Sequence, residues 1–235
     1  MLAVFLLSFL VAVLVFGSID TIAQDTNSKS GAIFRVGLKS ITISAPSTEL
    51  VETGSDYRVI LDALTPAVNR LVAAFLLPED LKAIQNGPAI LSRYALVEVP
   101  RGAEFANITP EIFKQIAANV GQEFGASLDA TVKDQQDEIN RRLKALGASS
   151  TTLTLDKPMM FGSFFSKPDA FGFGGIMPIE LNGRKNKVVM VVSVVRIQDR
   201  VLSLYLYNSY VDLESVNWAR TTSEKWADAI LAANK

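Results

Sequence analysis

Cysteine and histidine are both missing from this 235-residue chain. Without cysteine there is no thiol nucleophile, no disulfide and no amino-terminal lipid anchor. Without histidine a Ser-His-Asp triad cannot be assembled, and zinc or c-type haem loses its usual ligands. Any catalysis is left to carboxylates, Lys, Tyr, Ser or Arg. Charge of one sign is lacking too. Residues 1–23 hold one acid, Asp20, and no base, so the remainder carries 23 basic residues against 23 acidic. A neutral chain with no concentrated basic stretch has no field to gather nucleic acid or an anionic membrane. No residue pattern nominates a cofactor, a metal site or a catalytic residue.

What is present begins at the amino terminus. Residues 2–16 are an almost unbroken apolar run, followed by Gly17, Ser18 and Thr21-Ile22-Ala23 and then the polar Gln24-Asp25-Thr26-Asn27. That is the layout of an export signal, with cleavage expected after Ala23. About 15 residues make a helix of roughly 22 Å, short of the ~30 Å bilayer core. Extension to Ile19 leaves the alternative of a retained membrane anchor over residues 2–19. Only Met1 precedes the run, where a signal carries Lys or Arg, and the expectation is a start codon set too late. The chain thus reads as an exported periplasmic or secreted protein. A signal occupies 1–23, a flexible polar leader 24–31 and a single α+β domain 32–235, which touches a membrane only if the first segment is uncleaved.

Within 32–235 a strand containing Leu38, Ile41 and Ile43 ends at Pro46, and 47–54 reads as a loop. A short helix at 55–64 is capped by Ser55. Residues 70–77 read as a buried strand, 78–84 as a short helix opened by proline, and 92–99 as a strand. Thr109, Pro110 and Glu111 open a helix whose stripe is Phe113, Ile116, Val120 and Phe124. A second helix, 127–146, buries Leu128, Val132, Ile139, Leu143 and Leu146, with Asp129–Lys133, Asp137–Arg141 and Glu138–Arg142 at helical spacing on its other face. Strands follow at 151–155, 159–165, 171–181, 187–197 and 201–210, with Asn182-Gly183 as a hairpin signal. Val188–Val195 is apolar on both faces and predicts a central strand, covered on both sides or covered by helices on one side and by a partner on the other. Leu202, Leu204 and Leu206 share one face of the next strand, and Tyr205 and Tyr207 share the other. Thr221 and Glu224 have capping-box spacing and predict a closing helix anchored by Trp226. Strand hairpins around a helical pair give an α+β fold, a mainly antiparallel sheet with helices on its faces.

The apolar strand Val188–Val195, a tight turn, the strand Leu202–Tyr207, a segment bearing Trp218 and a helix bearing Trp226 together resemble the PsbP/Mog1-like α/β/α sandwich proteins. The resemblance covers Met159–Asn234, with the helical pair as a departure from compact members. It implies a non-catalytic exported binding or assembly module and assigns no residue a role.

Phe161–Gly175 is the most unusual internal stretch, with five phenylalanines and four glycines. One reading is an aromatic lip over a small apolar ligand, formed by Phe161, Phe164, Phe165, Phe171 and Phe173, with Tyr205 and Tyr207 lining the same surface. The other is a hairpin whose rings enter the core and whose glycines permit bends. Glu98, Glu104, Asp156 and Asp169 are the candidate carboxylates for glycan hydrolysis, which needs two at a defined separation. Ser166 and Lys167, adjacent in an extended segment, point to opposite faces and do not make a dyad. Asn107-Ile108-Thr109 matches a glycosylation sequon, but Thr109 is better read as a helix cap. The functional expectation is a non-enzymatic module for a protein partner or small apolar ligand, with a carboxylate-dependent envelope glycan hydrolase as the alternative.

Overall fold

A computed structural model describes residues 13–14, 31–54, 57–58, 61–62, 65–85, 89–123, 128–145, 147 and 151–235. Most of the export signal and leader, and most of the helix expected at 55–64, lie outside the described residues. The elements are β1 (Val13–Leu14), β2 (Ala32–Val36), β3 (Lys39–Ile43), β4 (Val51–Glu52), β5 (Asn69–Leu76), α1 (Pro78–Gln85), β6 (Ala89–Ile90), β7 (Arg93–Pro100), α2 (Pro110–Glu123), α3 (Leu128–Ala145), β8 (Leu153–Leu155), β9 (Met159–Lys167), β10 (Ala170–Leu181), β11 (Arg184–Ile197), β12 (Arg200–Ser209) and α4 (Leu213–Ala233). Among the described residues no helix is long and apolar enough to cross a membrane.

One antiparallel sheet organises the chain, in the order β4-β5-β7-β12-β11-β10-β8, with β9 also paired to β10. The fold is α+β, as the sequence pattern predicts. β5, β7, β11 and β12 are buried along most of their length on both faces, which explains their near-continuous apolar character. The helical pair covers one face: Phe113, Ile116 and Val120 of α2 and Val132, Ile139 and Leu143 of α3 pack with Leu96, Val192, Tyr205 and Met177. On the other face α4 and the β2–β3 hairpin pack with Val97, Val191, Leu202, Leu204 and Leu206. α3 also closes an edge. Asn140 exchanges two hydrogen bonds with the Leu153 backbone (2.8 and 2.9 Å), and Gln136 accepts one from Leu155 N (2.8 Å), so β8 does not end in bare backbone.

The hairpin turns follow the chain's local chemistry. Asn182 and Gly183 both take positive φ (49° and 82°), as the Asn-Gly pair predicts. Gln198 and Asp199 do the same (47° and 63°) without glycine. That turn is held from outside: Arg196 donates to Asp199 Oδ1 (3.1 Å), and Ile108 N donates to the Asp199 carbonyl (3.0 Å).

Two local expectations are corrected. Leu38 does not belong to a core-facing strand. Gly37 takes φ 57° and makes a reversal between β2 and β3, leaving Leu38 at the tip, 74 % exposed. The closing helix does not begin at Thr221. It begins eight residues earlier, where Asp212 accepts from Ser215 N (3.1 Å) and Ser215 Oγ accepts from Asp212 N (3.4 Å). Serine takes the place that Glu or Gln fills in the usual box. Thr221–Glu224 are therefore interior to α4, and Trp218 is on the same helix as Trp226.

Candidate functional site

The sheet separates the seven aromatic candidates. Phe171 and Phe173 point toward the helical pair, Phe171 lying 5.6 Å from the Phe113 ring. Tyr205 and Tyr207 are buried on that same face, with Tyr207 stacked on Tyr94 at 4.4 Å. Phe161, Phe164 and Phe165 lie on the α4 side. The tyrosines are core residues on the face that the helical pair covers.

The glycines of the aromatic segment make room for rings. A Cβ at Gly172 would fall 2.3 Å from Phe165, and one at Gly174 would fall 2.8 Å from Phe161. Register shifts between Gly172 and Phe173 and between Gly174 and Gly175 let β9 lie across β10 at this point. α4 then fastens the strand. The Arg220 guanidinium sits 5.8 Å from the Phe161 ring and 5.4 Å from Phe164. Lys167 Nζ bonds Asp228 (2.8 Å) and Glu224 (2.9 Å), and these partners hold its ammonium above the usual lysine range. The geometry is that of a hairpin packed onto a helix. It does not bring the seven rings into one site.

The four carboxylate candidates are not brought into a pair. Glu104 is bound by Arg70 (2.5 Å) and accepts from Gly37 N (3.2 Å), and the Arg70 bond holds it below the usual carboxylate range. Asp169 is bound by Arg196 (2.6 Å). Asp156 is exposed next to β8.

Glu98 is wholly buried on the helical-pair face. Burial pushes its carboxyl up to about 8, outweighing the bond that Asn69 Nδ2 donates to Oε2 (2.7 Å), with Asp62 raising it further. Its cross-strand partner is Ser203, and among the described residues Glu98 Oε1 and Ser203 Oγ have no hydrogen-bond partner. At neutral pH Glu98 is therefore carried as the neutral acid.

An open concavity among the described residues lies elsewhere, at the end of the sheet where α4 begins. It has a volume of about 620 Å³ and is lined by Glu49, Leu77, Glu79, Ser92, Arg93, Asn208, Ser209, Val211 and Ser215. Arg93 opens β7, and its position is set by its neighbours. Asp80, buried in the first turn of α1, accepts from Arg93 N (3.2 Å), Ser92 N (3.0 Å) and Ser92 Oγ (3.0 Å), fixing the strand start to the helix. Asn208 accepts from Arg93 Nε (3.2 Å) and donates to the Ser215 carbonyl in the first turn of α4 (3.4 Å). The guanidinium lies 4.0 Å from the Trp218 ring centroid, and its Nη1 reaches Glu49. Beside this cleft Val211 and Leu213 are 80 % and 73 % exposed.

Among the described residues no group of three carboxylates is placed to hold a metal. Sequence reasoning missed the cleft because its parts come from residues 49, 77–79, 92–93 and 208–215, each unremarkable alone. The available signal was Asp212-x-x-Ser215, which puts Trp218 on a helix face. No family model matches the chain, and no curated protein matches it.

Proposed function

We propose that this chain is an exported, non-enzymatic binding or assembly module that docks a protein partner in the cleft at the start of α4. One observation carries this reading. Arg93 is held in place by Asn208, the Trp218 ring and the Asp80-bound strand start, in an open cleft flanked by exposed Val211 and Leu213. Preset polar groups beside exposed apolar side chains suit a protein surface better than a small apolar molecule, which needs an enclosed pocket. Of the rings first expected to form such a pocket, Phe165, Phe171, Phe173, Tyr205 and Tyr207 are buried, and Phe161 and Phe164 pack half-buried beside Arg220. The resemblance of Met159–Asn234 to PsbP/Mog1-like proteins and the apolar residues 2–16 support an exported assembly role. Mass spectrometry of the native amino terminus tests the export component. A peptide beginning at Gln24 is the expected result, and an intact apolar run rules out release.

A photo-reactive side chain at Val211, with one at exposed Gln198 on the opposite end of the sheet as control, tests the docking component. A discrete cross-linked species from Val211 alone is expected. Equal labelling from both positions, or none from Val211, contradicts it. A second reading, a glycan hydrolase, finds Glu49 and Glu79 on one cleft. Both are exposed, whereas a general acid is kept protonated by shielding from water. Release of reducing ends from polysaccharide, abolished by Glu79→Gln, would favour the hydrolase over the docking module.

A further inference from the structure

Arg93 is the one cation lining the cleft, and its guanidinium is already engaged by Glu49, Asn208 and the Trp218 ring. The charge left over is negative. Glu79 shares the lining, and Asp212 and Glu214 lie between and beside the lining residues Val211 and Ser215. Among the described residues none of these three forms an ion pair. Asp212 caps α4, so the helix amino terminus offsets part of its charge. Two further cations stand near: Lys187, whose carbonyl accepts from Tyr210 N (2.9 Å) and whose ammonium lies 5.9 Å from the Tyr210 ring centroid, and Lys82, which follows Glu79 by about one helical turn on α1. Among the described residues around the opening, Glu49, Glu79, Asp212 and Glu214 outnumber Arg93, Lys187 and Lys82.

Apolar and acidic side chains alternate here in sequence as Val211, Asp212, Leu213 and Glu214, all exposed. A capped helix start does not need two protruding apolar side chains, and leaving them in water is unfavourable. The acids beside them favour positive charge on whatever covers them, through electrostatic complementarity. We infer that the occupant of the cleft is a basic polypeptide segment of a protein partner, with apolar side chains on Leu77, Val211 and Leu213 and Lys or Arg side chains facing Glu79, Asp212 and Glu214. The inference rests on the docking function proposed above and adds the chemistry of the partner.

The test uses the full chain and two fluorescein-labelled probes, an alternating Lys-Leu peptide and an alternating Glu-Leu peptide, read by fluorescence anisotropy at low salt. The Lys-Leu probe binds, and the Glu-Leu probe binds about tenfold more weakly or not at all. Charge reversal by Glu79→Lys with Glu214→Lys weakens the Lys-Leu probe by about tenfold. Val211→Asp adds negative charge yet removes apolar surface, so weaker binding by that variant identifies the apolar contact. These positions are exposed, and an unchanged thermal melt confirms that each variant folds. Equal affinity for both probes, indifference to the charge reversal, competition by spermine as strong as by the peptide, or no binding of either probe overturns the inference. If Val211 still cross-links a partner in that case, the docking site stands and only its partner chemistry falls. If Val211 does not cross-link, the docking function itself falls.

Discussion

The two faces of the sheet are closed by different means. Under α4 and the β2–β3 hairpin the sheet presents mainly Val, Leu and Ala, and its buried polar side chain in the middle, Ser193, meets Ser223 Oγ at 2.7 Å. Under the helical pair the sheet presents tyrosines and phenylalanines together with Glu98, Asn69 and Ser203. One face is a mainly aliphatic layer whose central hydroxyl pair, Ser193 and Ser223, is satisfied, with Arg200 buried at its end. The other carries a buried acid whose second oxygen has no partner among the described residues. Among the described residues, most side chains of both faces are taken up by packing. The cleft at the rim, where α4 starts and Arg93 stands, is the surface that the docking proposal uses.

The largest expected effect lies on the aliphatic face. Trp226 is buried, packs edge-on to Phe75 at 6.1 Å and donates from Nε1 to the Ser44 carbonyl (2.7 Å). It ties α4 to the sheet and to the segment after β3 at once. Trp226→Ala should cost ~3–5 kcal/mol in urea denaturation, because the site cannot collapse on both neighbours. A loss under ~1 kcal/mol would show that α4 is not the clamp of this face.

The opposite face is probed by pH. Glu98 is raised in the fold from 4.5 to about 8, so the folded state holds a proton that the unfolded chain has released between those values. The stability contribution is fully present below the unfolded value and is lost as pH rises through about 8. The native chain should lose on the order of a few kcal/mol between pH 5 and 8.5 from this group. Glu98→Gln, which keeps the shape and cannot ionise, should flatten that decline and stand above the native chain at pH 8.5. Parallel pH profiles for the two proteins would remove Glu98 from the account.

Smaller effects sharpen the comparison. Gly172→Ala places a methyl against Phe165 on the α4 side and should cost ~1–3 kcal/mol through overpacking, read as a lower melting temperature. Gly183→Ala, where a Cβ meets nothing within 4 Å but φ is 82°, isolates the cost of left-handed backbone alone and should fall near ~1 kcal/mol. Ser223→Ala leaves Ser193 without its closest partner and should cost ~1 kcal/mol. A cost near zero for Ser223→Ala would mean that the bond from Ser193 Oγ to the Ser223 carbonyl (3.4 Å) suffices for this buried hydroxyl.

The architecture was legible where periodicity was strong. Val188–Val195, apolar but for Ser193, is a central strand covered on both sides, and the alternation of Leu202, Leu204 and Leu206 with Tyr205 and Tyr207 assigns them to opposite faces. Pro110 and Gly147 bracket the helical pair much as capping chemistry predicts. Within α3 the Glu138–Arg142 pair forms at 2.6 Å, while Arg141 turns to Glu138 in preference to Asp137. What failed depended on tertiary context. Leu38 has strand chemistry, yet Gly37 reverses the chain before it. Thr221 and Glu224 have cap spacing, yet Trp218 and Val216 already pack as helix. The aromatic-glycine segment gave no indication that α4 would supply Arg220, Glu224 and Asp228 to pin it. The cleft was hidden for the same reason, because its side chains converge only after β5, β7 and β12 have paired.

Photo-cross-linking from Val211, with Gln198 as the control at the far end of the sheet, tests the central claim most directly. A single partner adduct from Val211, absent from Gln198, is the predicted result. Adducts at both positions, or at Gln198 alone, would contradict it and return the search for a docking surface to the rest of the rim.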